Sequence, residues 1–588
     1  MGDYYAMALR FTDQGFLIFR PQTFNLQTPD GITAADLPLP AWLSALGMVL
    51  LHTDSPQVFR LLTWCAGLLG LIFFFRTLYD GGVAPLRAAV LSVFLGSLSG
   101  WLYYHQSMLP SPWALSAFLG GVWALQRFTA SNEFSGKQLR YAIYMTVGFT
   151  LAALLRKPFV LYLVAMAFWL WRRQGGNRQT WLVLGGGVSA FVLWQLYDYY
   201  LMTRYGSIFL RATMSAESIP QIWQLSRDAW GKWGLVWFSP FHLLWLLLVA
   251  VTGVIFRKKE PSETPRPLDK WLLLSFAGIG GAYFLLMLRQ FADHEYYALD
   301  SFYPALLLGA ALGAIATQRF KWIFGLECLL LVGAIFWAKK TVDWYAGLVQ
   351  SKAGEKTNQA YFHSRALLDT LQIPRTARMM IFEAYSANLP LVGMRRTGYC
   401  LMTSRPEEQE KYLSRQPDYA VCMDTFFVAE VINDNPAILQ RLTYVGGDAS
   451  LLVFRPGGFP SQTLEQLLAD QWQMLADTTL AATSEEFLLS QSQPMQPGHK
   501  VVFHGNMAMD QPGELIATVA FFQQGQKMAI MEKPVPLRQG DTSLFRSVDL
   551  LIPAVEADEM RVYLWNPARR KVSFQQFKIS VMRPKNRH

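Results

Sequence analysis

The sequence predicts a polytopic α-helical membrane protein that ends in a soluble part, made of an α/β unit and a β-sandwich of jelly-roll type. Of its 588 residues, 52% are hydrophobic and only 16% are charged, against about 25% charged residues in soluble domains. Apolar runs fill residues 59–338, whereas residues 345–588 have the composition of a soluble protein. The mean hydropathy of +0.19 fits this division, because a chain within the membrane throughout would be more apolar.

Ten apolar runs are candidates to cross about 30 Å of hydrocarbon at about 1.5 Å per helical residue. They are 59–79, 87–105, 111–127, 140–155, 157–172, 181–201, 234–256, 270–288, 298–317 and 321–338. A further run, 39–52, is too short to span easily and is expected to lie along the membrane surface. Residues 1–344 are therefore predicted to form one transmembrane domain, whose first outside loop is 1–58.

The loops on the two sides of these runs differ in charge. Short loops on one side carry clusters such as Arg172-Arg173 and Arg257-Lys258-Lys259, and the loops on the other side are longer and less basic. The positive-inside rule places the basic loops in the cytoplasm. We therefore predict a protein of the inner (cytoplasmic) membrane with its C-terminal part in the periplasm, and the net charge of +10 serves topology rather than nucleic-acid binding.

The predicted outside N-terminus must itself be translocated. The chain begins without a signal peptide or a first span, although translocation needs one of them. We therefore expect an upstream transmembrane helix in the full protein.

The first outside loop places carboxylates at the predicted membrane surface. Asp3 opens a segment in which Tyr4, Ala8 and Phe11 have helical spacing, which predicts an amphipathic helix in the interface. Asp36 precedes a Pro-Leu-Pro turn that enters the 39–52 run. A carboxylate in such a position is costly and favours a functional role, although either residue could instead cap a helix.

Taken in order, these residues and later ones resemble the GT-C superfamily of polyprenyl-phosphate-dependent glycosyltransferases. The likeness is to the family 39 branch of protein mannosyltransferases and lipid A aminoarabinose transferases, and it covers residues 1–340. The matching pieces are Asp3-Tyr4-Tyr5, Asp36 to Pro40, Arg60, Tyr103-Tyr104-His105 with Pro110, Arg156-Lys157-Pro158, and Asp293-His294-Glu295-Tyr296-Tyr297 with Pro304. Family members usually have Asp-Glu at the first position, where this chain has Asp3-Tyr4. They usually have Glu, often with Lys, before the Pro-Pro turn, where it has Asp36-Leu37.

The resemblance implies an inverting transfer of a sugar from a polyprenyl phosphate to an extracytoplasmic acceptor (a lipid, a glycan or a protein), without a covalent enzyme intermediate. Such a reaction needs cations at the departing phosphate and a carboxylate base for the attacking group. Asp3 is the predicted base, and Asp36 is the second predicted catalytic carboxylate. The donor phosphate is assigned to Arg156, Lys157 and Arg60. Other substrate contacts are assigned to Tyr4, His105, His294, Glu295 and Tyr297.

Several alternatives stay open. Arg156 and Lys157 could be anchors that snorkel at the ends of spans, and His294 could be a hydrogen-bonded surface group. The outside loops hold no Asp-x-Asp motif, so neither a catalytic metal nor another cofactor is expected. A transporter or flippase would need more intramembrane charge or an inverted repeat. A non-enzymatic scaffold for envelope assembly is the third class.

The soluble part is predicted to contain three regions. Residues 345–456 alternate strand and helix patterns, with strands at 378–382 and 419–423, helices near 355–372 and 406–415, and a hairpin at 442–455. Residues 457–498 are predicted to be a helical connector. Residues 499–588 carry six short strands, and the sandwich they form could bind carbohydrate, for instance through Tyr563 or Trp565. A role of these two side chains in the core is the alternative. Cys400 and Cys422 could form a disulfide outside the cytoplasm or stay as buried thiols.

Overall fold

The structure, a computed structural model, describes the chain in two compact units. The described residues are 2–584 apart from 131–135, 175–177, 210–211, 256–267, 319, 352–358, 404, 424–425, 432–434, 449, 458–471, 480–486, 494–499, 510–512, 538–543 and 552–556. One unit contains Met1–Thr23 and Thr28–Gln350, and the other contains Phe24–Gln27 and Ser351–His588.

The first unit is helical. Its helices are α1 (Gly2–Gln14), α2 (Leu39–Leu50), α3 (Pro56–Asp80), α4 (Pro85–Gly96), α5 (Ser99–Tyr104), α6 (Ser111–Thr129), α7 (Gly136–Leu155), α8 (Phe159–Gln174), α9 (Arg178–Tyr205), α10 (Ile219–Trp237), α11 (Pro240–Ile255), α12 (Lys270–Leu286), α13 (Leu288–Phe291), α14 (Ala298–Ala316) and α15 (Lys321–Ser351). Short 3-10 turns lie at Pro29–Gly31 and Glu295–Tyr297. Each predicted apolar run falls on one or two of these helices.

In the described part of the chain, five helical segments are long and apolar enough to cross a membrane. They are α3, α7, α9, α15 and the segment Glu295–Ala316, and α10 with α11 makes a sixth if that pair counts as one span. The two helices of the pair meet at 88°, where the sequence predicted one run over 234–256. Pro240 explains the break, because it has no N–H to continue α10. The protein is a multi-pass helical membrane protein.

Helix α1 forms where the sequence predicted an amphipathic helix. It is more deeply buried than an interfacial helix would be, since Met7 and Ala8 are fully covered by protein. Helix α2 packs against it. The small side chains of Ala6 and Ala8 let other elements approach α1 closely, so protein covers most of its surface.

Close packing of two other helices depends on glycine. A Cβ added at Gly148 of α7 would lie 2.6 Å from the backbone nitrogen of Gly121 in α6. The two backbones therefore touch, as small residues allow within membranes. In the glycine run at 185–187, only Gly187 has a neighbour this near, Thr150 of α7, whereas Gly185 and Gly186 face open space.

The second unit begins with the predicted α/β layer. Its elements are α16 (Ser364–Thr370), β1 (Met379–Ile381), α17 (Leu389–Met394), β2 (Gly398–Cys400), α18 (Pro406–Leu413), β3 (Tyr419–Met423), β4 (Leu442–Gly447) and β5 (Leu451–Pro456). The sheet order is β2-β1-β3-β5-β4, with β1 parallel to both β2 and β3. The sequence did not reveal β2 or α17, each of which is very short.

Cys400 and Cys422 are both buried and are not joined in a disulfide. Cys400 belongs to β2 and Cys422 to β3, and β1 lies between these strands. Two strand spacings of about 4.8 Å exceed the Cα separation of about 7 Å beyond which a disulfide cannot form without backbone movement. Of the two alternatives, the structure has the buried thiols.

Four residues of the first loop belong to this second unit. The backbone nitrogen of Leu26 donates to the carbonyl oxygen of Gly398 at 2.6 Å, and that of Gly398 donates to Phe24 at 3.0 Å. The Asn25 side chain donates to the Ala387 carbonyl oxygen at 2.7 Å. Residues 24–27 therefore extend the sheet beside β2.

The C-terminal strands form the predicted jelly roll. They are β6 (Trp472–Thr479), β7 (Phe487–Gln493), β8 (Lys500–Met509), β9 (Gly513–Gln523), β10 (Gln526–Leu537), β11 (Leu544–Leu551), β12 (Glu559–Trp565) and β13 (Val572–Pro584). The two sheets have the orders β11-β8-β13-β6 and β10-β9-β12-β7. This interleaving of eight antiparallel strands is jelly-roll topology.

The predicted helical connector at 457–498 is wrong for its described residues. Residues 472–479 pair with β13 and residues 487–493 pair with β12. Both segments are needed to complete the two four-stranded sheets, so strand pairing overrides the helical pattern around Trp472. Residues 458–471, which held most of the predicted helix, lie outside the described residues.

Candidate active site

Arg156 lies between two carboxylates that come from distant parts of the sequence. Its Nε and Nη2 donate to Oδ2 of Asp300 at 2.9 and 2.6 Å. Its Nη1 lies 3.7 Å from Oδ2 of Asp36. The Arg156 side chain is 15% exposed, that of Asp36 is 13% exposed, and that of Asp300 is fully buried. The structure thus places a guanidinium in a largely buried pocket with a carboxylate on each side.

The local sequence explains why Arg156 is free to point into this pocket. Pro158 disfavours helical conformation in the residue before it, and α7 accordingly ends at Leu155 while α8 begins at Phe159. The backbone nitrogen of Leu37 donates to the carbonyl oxygen of Leu154 at 2.9 Å, which holds the loop that carries Asp36 against the end of α7. Burial disfavours the charge of Arg156, but the neighbouring carboxylates Asp300 and Asp36 keep its pKa above the ordinary value.

Tyr4 connects the predicted base to this pair of carboxylates. Burial raises the pKa of Tyr4 most strongly, and the charges of Asp36, Asp3 and Asp300 raise it further while Arg156 lowers it. These charges thus act on one buried side chain. Asp3 lies in the first turn of α1 and is half-buried. It falls inside the helix rather than at its N-cap.

Asp36 lies two residues before Pro38, which holds the N-cap position of α2. Its carboxylate contacts Arg156.

The turn before α14 supplies aromatic groups to the same cluster. The guanidinium carbon of Arg156 lies 5.8 Å from the ring centre of Tyr297, within the range of a cation–π interaction. The half-buried ring of His294 lies 5.7 Å from that of Tyr297. Burial lowers the pKa of His294, although Glu295 and Asp293 favour its charge. Tyr297 thus lies beside Arg156 and His294 lies beside Tyr297, and their contacts with substrate stay predictions.

Glu295, which was predicted to contact substrate, is bonded to other residues of the protein. Its carboxylate is 5% exposed and accepts hydrogen bonds from the hydroxyl groups of Tyr104 and Tyr345. The indole of Trp237 donates to its backbone oxygen at 2.9 Å. These bonds occupy Glu295 within the protein and fix the turn that carries His294 and Tyr297.

Lys157 points to a different helix from Arg156. Its ammonium lies 2.8 Å from Oδ2 of Asp198 in α9. The Lys157 side chain is 38% exposed and that of Asp198 is 3% exposed. Each cation of the turn is thus paired with a buried carboxylate.

The two other predicted contacts lie in different environments. Arg60 is exposed near the start of α3. His105 is buried, with its ring 4.0 Å from that of Trp101 and its Nδ1 2.8 Å from the Trp101 oxygen. No described contact joins Arg60 or His105 to the Arg156 cluster.

An apolar cavity of about 730 Å³ opens beside the cluster. It is lined by α2, α3, α6 and α7, through residues that include Leu39, Ala66, Trp123, Tyr144 and Leu155. Leu39 follows Asp36 by three residues and Leu155 precedes Arg156, so one end of the cavity lies at the charged cluster. From Tyr144 to Leu155 it follows α7 for about 16 Å.

Two site residues were missed by reasoning from the sequence. Asp300 and Asp198 each lie within a predicted span, and an ionisable group within an apolar run is by itself a signal of function. Among the described residues, no group of three or more His, Cys, Asp or Glu side chains is placed to hold a metal ion.

Comparison with known proteins gives matches among solved structures only. No protein-family model matches the sequence, and the search of curated proteins gives no match. The structure is similar to ArnT from Cupriavidus metallidurans in the apo state (12% identity, 77% of this chain and 92% of that one, TM-score 0.42). It is also similar to the archaeal oligosaccharyltransferase AglB from Archaeoglobus fulgidus (9% identity, 95% and 91%, TM-score 0.43). A third similar structure is the mycobacterial arabinofuranosyltransferase AftD (12% identity, 99% and 59%, TM-score 0.44). At such low identity and TM-score the function has to be argued from the residues of this chain.

Proposed function

We propose that this protein is a membrane glycosyltransferase that moves a sugar from a polyprenyl-phosphate donor to an acceptor outside the cytoplasm. The observation that carries the proposal is the cluster of Arg156, Asp36 and Asp300 at one end of an apolar cavity. Such a site offers a cation for a phosphate, carboxylates for proton transfer and an apolar surface for a lipid chain. Each part is needed for this reaction.

Arg156 is the proposed ligand of the donor phosphate. A guanidinium binds phosphate with charge-assisted hydrogen bonds. Of its two carboxylate contacts, the one with Asp36 is longer, at 3.7 Å against 2.6 Å for Asp300. The phosphate would therefore take the place of Asp36 at Nη1, and Asp36 would be released toward the substrate. Charge that develops on the departing phosphate is then stabilised by a group already in position.

Asp3 is the proposed general base, with Asp36 as the second catalytic carboxylate. The acceptor hydroxyl or amine gives its proton to the carboxylate while its oxygen or nitrogen forms the new bond to the anomeric carbon. The bond between that carbon and the phosphate oxygen breaks, and the phosphate leaves with the electron pair. One displacement of this kind inverts the anomeric centre. A positioned base is worth typically about 10²–10⁴-fold in rate.

The apolar cavity is the proposed seat of the polyprenyl chain nearest the phosphate. Its lining is almost wholly apolar, and its length of about 16 Å along α7 fits a few isoprene units. Membrane lipid would accommodate the remainder of the chain. We place this half of the reaction at the periplasmic face of the inner membrane, because the basic loops assign Arg156 to that side.

The β-sandwich is proposed to bind carbohydrate on one face of β12. Tyr563 and Trp565 are half-buried and share that face, whereas Val562 and Leu564 point into the core. Aromatic side chains on a sheet surface suit the apolar faces of sugars. Loss of glycan binding by the full-length Trp565→Ala variant, measured on a panel of immobilised glycans, would support this assignment, and unchanged binding would contradict it.

The test of the function is a transfer assay on the full chain in liposomes. Undecaprenyl-phosphate-linked radiolabelled sugars are supplied with envelope lipids, glycans and proteins as acceptors. The proposal requires covalent transfer of label to one acceptor class. A flippase would move the labelled donor across the bilayer without covalent transfer, and a scaffold would do neither, so either result overturns the proposal.

A further inference from the structure

We propose that Asp300 is a positioning residue that sets the guanidinium of Arg156 for the donor phosphate. The inference rests on the proposed function, since it concerns how that site binds its donor. Asp300 is fully buried, so it acts through Arg156 rather than by touching the substrate. No sequence motif pointed to this residue.

The carbonyl oxygen of Asp300 lacks its helical hydrogen bond and accepts one from a side chain instead. Pro304 lies four residues later inside α14, and proline has no N–H to donate to the carbonyl oxygen of Asp300. The hydroxyl of Tyr162 lies 3.1 Å from that oxygen and 2.9 Å from the carbonyl oxygen of Ser301. A side chain of α8 therefore satisfies the carbonyl group that the proline leaves open.

A close approach of α12 holds the same segment from another side. A Cβ added at Gly280 would fall well inside the contact distance of the Ser301 carbonyl oxygen. Only a glycine lets α12 come this near without displacement of the backbone next to Asp300. The backbone that carries the Asp300 carboxylate is consequently held rigidly. A side chain that orients another side chain needs such a backbone.

The carboxylate uses one oxygen for Arg156. Oδ2 of Asp300 accepts from Nε and Nη2 of Arg156 and lies 3.2 Å from the Ser111 hydroxyl. Oδ1 is buried and has no hydrogen-bond partner among the described residues. A fork that used both oxygens would be the usual arrangement. The observed side-on contact occupies Nε and Nη2 and directs Nη1 toward Asp36, where the phosphate is proposed to bind.

The test is the affinity of the full chain for undecaprenyl phosphate, measured in detergent by quenching of tryptophan fluorescence. Asp300→Asn keeps the size of the side chain and removes its charge. If Asp300 orients Arg156, the Kd should rise by about 10-fold or more, the usual effect of losing the partner of a ligand side chain. If Asp300 only neutralised Arg156, loss of the negative charge would tighten the binding of an anion. An unchanged or lower Kd therefore overturns the proposal.

Two further variants separate positioning from folding. Ser111→Ala leaves the carboxylate in place and removes one of its supports, so it should give a smaller rise in Kd. In an Arg156→Gln background, Asp300→Asn should add no further rise, because its effect passes through Arg156. An equal rise in that background would show a general structural role and overturn the proposal.

A matched control exists in the same unit. Glu327 is also fully buried and receives Nε and Nη2 of Arg87 at 2.7 Å each. Glu327→Gln should lower the unfolding temperature and leave the Kd within error of wild type, and an equal rise in Kd for this variant overturns the proposal. Failure of the wild-type chain to bind undecaprenyl phosphate would refute the proposed function as well, whereas wild-type binding with unchanged variants would refute only the role of Asp300.

Discussion

Lys157 and Asp198 form an ion pair that ties the turn between α7 and α8 to the C-terminal half of α9, with Nζ 2.8 Å from Oδ2. Arg156, the preceding residue, is tied by Asp300 to α14. One three-residue turn is thus held by carboxylates on two different helices. These two ion pairs therefore hold in place the turn that carries both Arg156 and Lys157.

Removal of Lys157 should destabilise the protein more than removal of both partners. Lys157→Met leaves the nearly buried carboxylate of Asp198 without its cation, which should cost about 1–3 kcal/mol after allowance for the 38% exposure of Lys157. Adding Asp198→Asn should recover most of the loss. Thermal unfolding in detergent measures both variants, and a double variant no more stable than Lys157→Met would show that the pair is not coupled.

Tyr162→Phe should destabilise α14 at Asp300. The variant takes away the hydroxyl that lies at the carbonyl oxygens of Asp300 and Ser301, and a buried carbonyl left unsatisfied costs about 1–3 kcal/mol. Pro304→Ala in the same chain restores a backbone N–H for Asp300 and should return part of that stability. Unfolding temperatures of the two single variants and the double variant test this prediction. A double variant whose loss of stability equals the sum of two single losses would contradict it.

Gly280→Ala should reduce both stability and donor affinity. The new methyl group would collide with the Ser301 carbonyl oxygen, and overpacking of this kind typically costs about 1–3 kcal/mol. Gly278→Ala is the matched control on α12, because a Cβ there meets nothing within 4 Å. Unfolding temperature and the Kd for undecaprenyl phosphate should change in the first variant and not in the second. Equal behaviour of the two glycines would refute the packing argument.

Filling the apolar cavity should discriminate donors by chain length. Ala66→Phe places a ring in the cavity and should raise the KM for an undecaprenyl-phosphate donor by about tenfold, a change of about 1.4 kcal/mol in apparent binding. The KM for a donor with a two-isoprene chain should rise less. Leu61→Phe, at an exposed position on the same helix that does not line the cavity, is the control. Equal effects on long and short donors would place the lipid elsewhere.

The fold was largely predictable because its signals are local. Hydrophobic length located the helices, and alternation located β3 and six strands of the jelly roll. The sequence missed β6 and β7, whose place in the sheets depends on pairing with the distant strands β13 and β12. It also missed the break at Pro240, where a continuous apolar run concealed a change of direction.

The site was predictable only in part, because its geometry comes from contacts between distant helices. Order along the chain pointed to Asp36, Arg156 and Tyr297, which the fold does bring together. It could not show that Glu295 is occupied by Tyr104 and Tyr345, residues 191 and 50 positions away. Nor did it reveal Asp300, which lies in an apolar run and whose partner, Arg156, is distant in the sequence.

Asp3, a carboxylate in the first turn of α1, is proposed to take the proton of the acceptor. The most direct measurement is the initial rate of sugar transfer by Asp3→Asn in liposomes, beside Asp13→Asn as a control at an exposed position of the same helix. We predict a fall of at least about 10²-fold for Asp3→Asn, with undecaprenyl phosphate still bound and the rate of Asp13→Asn unchanged. Transfer by Asp3→Asn at the wild-type rate would contradict the account.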